Sequence, residues 1–418
     1  MADNKDKKVL NVPALRFPEF IKSWECSILE KLSKKIGDGI HSTPSYDDNG
    51  TFYFINGNNL NGGKIVITSS TKRVSEKEAY KNNAENLEAN SILMSINGTI
   101  GNVALYHNEP IMLGKSACYI NSKDNIDKNY LFYYLQYPKT QLYFEAELTG
   151  TTIKNLSLQS IRKTKIYIPT IEEQHKISRF LQKIDERIST QNKIIEDLKK
   201  LKSAIVEALF CAPKESVPAK RLSPYSKDWK LVKLFDICQR IQTKNTGRQC
   251  RQVLTIAAQY GLVNQEDFFN KTVASENLER YYLLQKGDFA YNKSYSGDYA
   301  WGAIKRLERY EQGVLSPLYI CFRPNITKVD ADYLAHYFES KKWHKGIADI
   351  AGEGARNHGL LNISVIDFFN TIHRIPDLEE QKVIAQFLNK FSSKLSCEQR
   401  IMQSLTKQRN YLLHKMFI

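Results

Sequence analysis

The chain has 418 residues, of which 42% are hydrophobic and 25% charged, an ordinary balance for folded protein that excludes global disorder. No stretch approaches the roughly 18–20 consecutive apolar residues of a membrane-spanning helix. Sixty Lys and Arg against 45 Asp and Glu leave a net charge of +15, a surplus that suits a polyanionic partner because basic side chains displace counterions from phosphates.

The first eight residues are polar and of mixed charge, with no apolar core like that of a signal peptide, so a cytoplasmic protein is expected. A mixed α+β globule follows, with strands at 51–56, 64–69, 91–96, 102–106 and 116–121 and helices near 127–136 and 140–147. Turn signals such as Asn61-Gly62-Gly63 and Asn97-Gly98 separate the strands. Residues 171–211 contain neither Gly nor Pro and predict one helix of roughly 60 Å at 1.5 Å per residue. Thr170 reads as its N-cap, with Glu173 at capping-box spacing. A second globule offers strands near 253–258, 288–293, 300–307 and 314–323 and a helix at 330–340. Residues 378–418 then predict a second long helix behind Asp377 and Glu380, the same cap again.

The two halves repeat each other. Ile168-Pro169-Thr170-Ile171-Glu172-Glu173-Gln174 recurs 207 residues later as Ile375-Pro376-Asp377-Leu378-Glu379-Glu380-Gln381. At that shift 17 of 57 positions are identical without a gap from Asn155/Asn362 to Cys211/Ile418. Arg16 and Trp24 correspond to Arg221 and Trp229 at a shift of 205. Within the helices apolar residues recur at steps of four and three: Ile177, Leu181, Ile184, Ile188, Ile195, Leu198, Ile205 and Leu209, then Ile384, Leu388, Phe391, Leu395, Met402, Leu405, Leu412 and Met416. That is a coiled-coil seam; the alternative is a helix lying on a globular core. Gln191 and Lys202 interrupt the first seam, Glu398 and Arg409 the second, at equivalent places. An antiparallel register that sets Lys202 against Glu398 and Gln191 against Arg409 leaves every other layer apolar on apolar, and these four residues are the expected register marks.

Catalytic patterns are missing. The Gly57–Lys64 segment lacks phosphate-loop spacing, Gly352-Glu353-Gly354 lacks a third glycine, and there is no Asn-Pro-Pro-Tyr, HExxH or GxSxG. None of the seven cysteines forms a CxxC pair or lies near a histidine at zinc-ligand spacing, so neither a disulfide scaffold nor a metal site is expected. The helices carry only +5 of the charge, leaving +10 for the globules and connections.

Two variable globules alternating with two near-identical helices, each entered through IPxxEEQ, resemble the specificity subunit of type I restriction-modification systems over essentially the whole chain. The resemblance implies an α+β protein: two mixed α/β target-recognition domains (1–165 and 212–372) alternating with two long conserved helices (166–211 and 373–418) that pack as an antiparallel coiled coil. It implies a non-catalytic subunit for a bipartite, asymmetric site on double-stranded DNA, seating two adenine-N6 methyltransferase subunits and two restriction subunits. No cofactor is then expected on this chain, with S-adenosylmethionine and ATP held by the partners. A helical adaptor with basic globules for RNA or protein is the competing reading.

Contacts with DNA are expected from polar and basic residues in turns. In the first globule these are Lys34, Lys35, His41, Asn58, Asn59, Asn97, Thr99, Lys115, Thr151, Thr152 and Lys154. In the second they are Arg240, Lys244, Arg248, Arg251, Asn292, Lys293, Tyr295, Arg356, Asn357 and His358. Because Arg356-Asn357-His358 departs from Thr151-Thr152-Lys154 in the matching loop, the two half-sites are expected to differ.

Overall fold

One short ribbon closes each globule at its base. In the computed structural model, which describes residues 11–82, 84–150, 154–222, 224–269, 277–294, 299–351 and 359–418, Glu25–Ile28 pairs antiparallel with Lys165–Ile168. Lys230–Lys233 pairs in the same way with Ile372–Ile375. Each exit strand runs directly into the proline of the repeated motif and then into a long helix, Ile171–Leu209 or Leu378–Lys415.

Above the ribbon each globule holds a four-stranded antiparallel sheet of one topology. In the first its order is Ser33–Asp38, Ala117–Ser122, Ser91–Ser95, Val103–Leu105; in the second it is Cys238–Arg240, Ile320–Pro324, Phe289–Asn292, Ala303–Arg306. The inner strands of the first are fully buried, and their one polar pair is satisfied, Ser91 Oγ donating to Asn121 Oδ1 at 2.7 Å. An aromatic helix packs on each sheet, Lys128–Leu135 capped by Asp127 and Ala331–Tyr337 capped by Asp330. The single strand expected at 314–323 is two, Gln312–Leu315 and Ile320–Pro324. Pro317 lies in the break and has no N–H to give to a ladder.

By packing, the chain forms two units: Met1–Asn192 with Ile401–Ile418, and Lys193–Arg400. In the first, Ile177, Leu181 and Ile184 from the start of one long helix join Leu412, Leu413, Met416 and Phe417 from the end of the other in a core with Trp24 and Tyr130. In the second, Ile384, Ala385 and Leu388 join Val206, Leu209 and Phe210 around Trp229 and Tyr333. Five pairs correspond under the 207-residue shift: Ile177 with Ile384, Leu181 with Leu388, Val206 with Leu413, Leu209 with Met416 and Phe210 with Phe417. At their ends the apolar stripes of the two helices thus enter the globular cores. Phe417 meets the rings of Tyr130 and Tyr134 at 5.4 Å, as Phe210 meets Tyr333 and Tyr337 at 5.1 and 5.6 Å.

Three of the register marks have ion-pair partners other than those expected. Lys202 Nζ pairs with Glu339 Oε2 at 2.8 Å, and Glu398 with Lys394 at 2.6 Å. Arg409 bonds Asp185 at 2.5 Å and Gln136 Oε1 at 2.8 Å. Lys202 thus reaches past the stripe to the edge of the second globule, while Arg409 reaches Asp185 on the first long helix and Gln136 on the first globule; both charges stay partly solvated, which costs less than an apolar layer. Among the described residues no helix is long and apolar enough to cross a membrane, and all seven cysteines are free thiols.

Two outcomes follow from this packing. Phe417→Ala should destabilise the first unit by about 3–5 kcal/mol and leave amide exchange in the second unchanged, with Phe210→Ala doing the reverse; hydrogen-exchange mass spectrometry reads both. The second concerns His373, buried between Tyr337 Oη (2.9 Å) and Thr371 Oγ1 (2.8 Å), whose burial lowers its pKa to about 4. Below the unfolded value of about 6.5 the unfolded chain takes a proton that the folded chain refuses. Stability of the second unit should therefore fall by roughly 3 kcal/mol between pH 6.5 and 4 and level off below. Thermal melts of His373→Gln across that window should lack this component.

Candidate nucleic-acid interface

Each long helix begins with a carboxylate that the local sequence assigns to capping but that the fold uses elsewhere. Glu173 is 0% exposed; Arg16 Nε and Nη2 donate to its two oxygens, both at 2.8 Å, and the Trp24 indole N–H donates at 3.3 Å. Glu380 holds Arg221 by the same fork at 2.8 and 2.7 Å. A two-bond, charge-assisted contact in a buried site outweighs a return bond to a single backbone N–H. Of the expected caps, Asp377 Oδ1 does accept from Glu380 N at 3.1 Å. The next motif residue is a second tie: Gln174 Oε1 accepts from Asp127 N (2.9 Å) while Nε2 donates to the Pro169 carbonyl (3.0 Å), and Gln381 repeats this with Asp330 N (2.8 Å) and Pro376 (3.0 Å). Each globule is thus anchored to its helix through IPxxEEQ, and its sheet loops are held at fixed positions.

In the first globule the structure brings several expected residues together. His41, Asn97 and Lys115 line one cleft of about 240 Å³ with Asp38, Ser116 and Asn155. His41 Nε2 lies 2.9 Å from Asp38 Oδ2, and Asn97 Nδ2 donates to the Lys115 carbonyl at 3.3 Å. Asn97 and Thr149 both bridge to Asn155, so this cleft adjoins the loop that ends at exposed Lys154. Asn58 and Asn59 line a second cleft of about 340 Å³ with Tyr46, Phe54, Thr68, Ser70, Thr71 and Lys72. Asn59 is committed to the fold there, accepting from Asn56 N (3.0 Å) and donating to the Val66 carbonyl (3.1 Å). Thr99 likewise donates to the Gly57 carbonyl at 3.3 Å. The Gly57–Lys64 segment forms a short helical turn and a hairpin, with Gly62 and Gly63 at positive φ that glycine alone adopts readily.

Lys34 and Lys35 share the edge strand Ser33–Asp38, but Lys34 pairs with Asp124 (2.9 Å) and Lys35 donates to Asn86 Oδ1 (2.5 Å). The bond from Asp124 raises the Lys34 pKa. Arg240 lies at the matching strand position of the second globule and has no ion-pair partner among the described residues; the same holds for Lys115, Arg248 and Arg251. Lys244 is engaged, with Nζ 3.0 Å from the Arg280 carbonyl and 4.1 Å from the Tyr282 ring centroid. Buried Asn245 shapes the following loop, giving one bond to the Cys250 carbonyl (2.8 Å) and taking one from its N–H (2.9 Å). Asn292 Oδ1 accepts from Ser294 N at 2.9 Å, and the Lys293 carbonyl accepts from Leu361 N at 2.9 Å, setting those residues beside the strand-side end of the 359–361 segment. Thr151, Thr152, Tyr295, Arg356, Asn357 and His358 lie outside the described residues.

Sequence reasoning passed over Tyr46, Tyr53, Lys72 and Arg73. Lys72 Nζ sits 5.6 Å from the Tyr46 ring centroid, a cation–aromatic contact in the second cleft, and Arg73 sits 4.8 Å from the ring centroid of Tyr53. The run Thr68-Ser69-Ser70-Thr71-Lys72-Arg73 was the available signal. Among the described residues no group of three His, Cys, Asp or Glu side chains could hold a metal ion.

Replacing Lys115 or Arg251 by Ala should weaken duplex binding and lower the salt-dependence slope by about one each. Lys34→Ala should change both less, because Asp124 already neutralises that charge. Titrations at several salt concentrations measure the three slopes.

Comparison with known proteins bears on the whole chain. The sequence model of the type I restriction modification DNA specificity domain matches residues 22–200 and again 226–407. The type I restriction enzyme MjaVIII specificity subunit of Methanocaldococcus jannaschii is 23% identical over 372 residues, covering 83% of this chain and 81% of the relative. A specificity subunit of Mycoplasma genitalium, S.MgeORF438P, is 28% identical over 135 residues, 32% of this chain and 35% of its own. The crystal structure of a type I restriction-modification S subunit from M. genitalium superposes with a TM-score of 0.55 at 17% identity, covering 97% of this chain and 99% of that one. A second solved type I R-M structure gives 0.53 at 14% identity, with 96% and 98% covered. At these identities the structures speak to the fold.

Proposed function

Because the chain belongs to the type I restriction-modification DNA specificity family, a family of DNA sequence recognition, we propose that each of its globules reads one half of a bipartite, asymmetric site on double-stranded DNA. The observation that carries the reading is the double construction: the same sheet order, ribbon, Arg–Glu fork and Gln tie occur in both units, while the residues on the loops differ. Two readers of one architecture with different side chains fit two different short sequences separated by bases that neither reads.

The long helices are read as an antiparallel pair. In support, each unit unites the beginning of one helix with the end of the other. Such a pair has an approximate two-fold axis, and its equivalent faces offer two equal seats for adenine-N6 methyltransferase subunits, with two restriction subunits in the larger assembly. S-adenosylmethionine and ATP then belong to those partners, and this chain contributes binding and orientation without chemistry of its own.

The purified chain alone should transfer no methyl group. Together with its methyltransferase partner it should direct adenine methylation to a two-part site with an unread gap. Methylome sequencing of a host with and without the chain measures this, and a single continuous short motif would contradict the reading.

A further inference from the structure

The buried forks at the helix starts do more than the fold needs. The side chains of Glu173 and Glu380 are 1% and 2% exposed, and those of their arginines 12% and 16%. Taking two charges out of water costs about what their attraction returns, and a packed apolar pair of similar volume usually serves stability as well or better. What the fork supplies that an apolar pair lacks is direction, because two parallel N–H···O bonds fix the planes of both groups. Its arginine is tied further at each site: Arg16 Nη2 also donates to the Lys22 carbonyl at 2.6 Å, and Arg221 Nη2 to that of Lys227 at 2.5 Å.

A second tie lies along each helix. Asp185, 12 residues beyond Glu173 and so roughly 18 Å away along the axis, accepts from Tyr133 Oη at 2.9 Å. In the second unit Asn389 bonds His336 Nε2 at 2.9 Å and Asp332 at 2.7 Å. The aromatic helix that carries Tyr133, or His336 and Asp332, is the same one whose N-cap is held by Gln174 or Gln381. Each globule is thus pinned at two separated points of its helix and cannot rock about either. One difference marks the pair: Trp24 bonds Glu173, whereas the buried Trp229 indole N–H has no acceptor among the described residues.

We propose that Glu173 and Glu380 are positioning residues for DNA recognition, fixing the angle at which each globule leaves its helix and so the length of the unread gap. The proposal rests on the bipartite reading above. It makes Glu173 and Glu380 determinants of spacing, distinct from the loop residues that would determine bases.

The test uses the full chain bound to its methyltransferase partner and a duplex set in which both half-sites are kept and the gap is lengthened or shortened by one base pair. The wild type should discriminate against mis-spaced duplexes by about 100-fold, the scale of one or two wrong base pairs. Glu173→Gln should cut that discrimination by about tenfold while base preferences inside each half-site stay unchanged. Glu173→Asp, which keeps the charge and is the gentler change, should recover part of it, and Glu380→Gln should act like Glu173→Gln. A loss of affinity equal at every gap length, or no change in the gap profile of either Glu173 variant, would overturn the proposal. A wild type indifferent to the gap while still preferring particular bases would overturn the bipartite reading itself, and the proposal with it.

Discussion

The fold turns on a buried carboxylate at the first turn of each long helix. Glu173 and Glu380 are the points where a globule's entry segment, its exit ribbon and its rod converge, because Arg16 or Arg221 arrives from the first and the motif proline from the second. A buried charge cannot be left unpaired without a penalty of several kcal/mol. The arginine must therefore be delivered to one place, and with it the whole N-terminal edge of the globule. The neighbouring glutamine does the same for the aromatic helix through a neutral pair of bonds. Ribbon, fork and amide tie together convert a tandem repeat in sequence into two like-built recognition units.

The same logic explains why each core borrows from a distant part of the chain. The beginning of each long helix offers a small apolar set to its own globule, Ile177, Leu181 and Ile184 in one and Ile384, Ala385 and Leu388 in the other. The end of the other helix adds a second row that closes with a phenylalanine, Phe417 in one unit and Phe210 in the other. A globule of this size has a limited apolar core, and the extra row enlarges it. The backbone bond from Leu15 N to the Lys415 carbonyl, 2.9 Å, and the side-chain bond from Tyr134 Oη to the Ile418 carbonyl, 3.1 Å, bring the end of the second helix against the entry segment and the aromatic helix of the first globule. The end of the first helix holds the matching place on the second globule by simple continuity of the chain.

Much of this was legible in the sequence. The 207-residue repeat, the two helices and their start at IPxxEEQ follow from identity, periodicity and the absence of Gly and Pro, and the α+β character of the globules follows from their alternation. What was not legible has physical causes. Glu173 and Glu380 sit at capping-box spacing, and nothing local reveals that an arginine more than 150 residues away competes for them. The polar breaks in the seam pointed to particular interhelical pairs; Lys202 instead reaches Glu339 on its globule, and Arg409 does pair across the helices, but with Asp185, a residue outside the seam. The ribbons at 25–28 and 165–168 are too short and too half-exposed to show a strand pattern. Among the candidate contacts, turn composition could not separate Asn59, Thr99 and Lys244, which hold the fold, from Lys115, Arg240 and Arg251, whose charges have no partner among the described residues.

The most direct test of the central claim, two like-built globules that each read one half-site, is to replace the second globule by a copy of the first at the joints equivalent under the repeat. The methylated site of the resulting complex should become an inverted repeat of the first half-site about a gap of the original length. A site that stays asymmetric, or a direct repeat, in a folded and assembled complex would contradict the account.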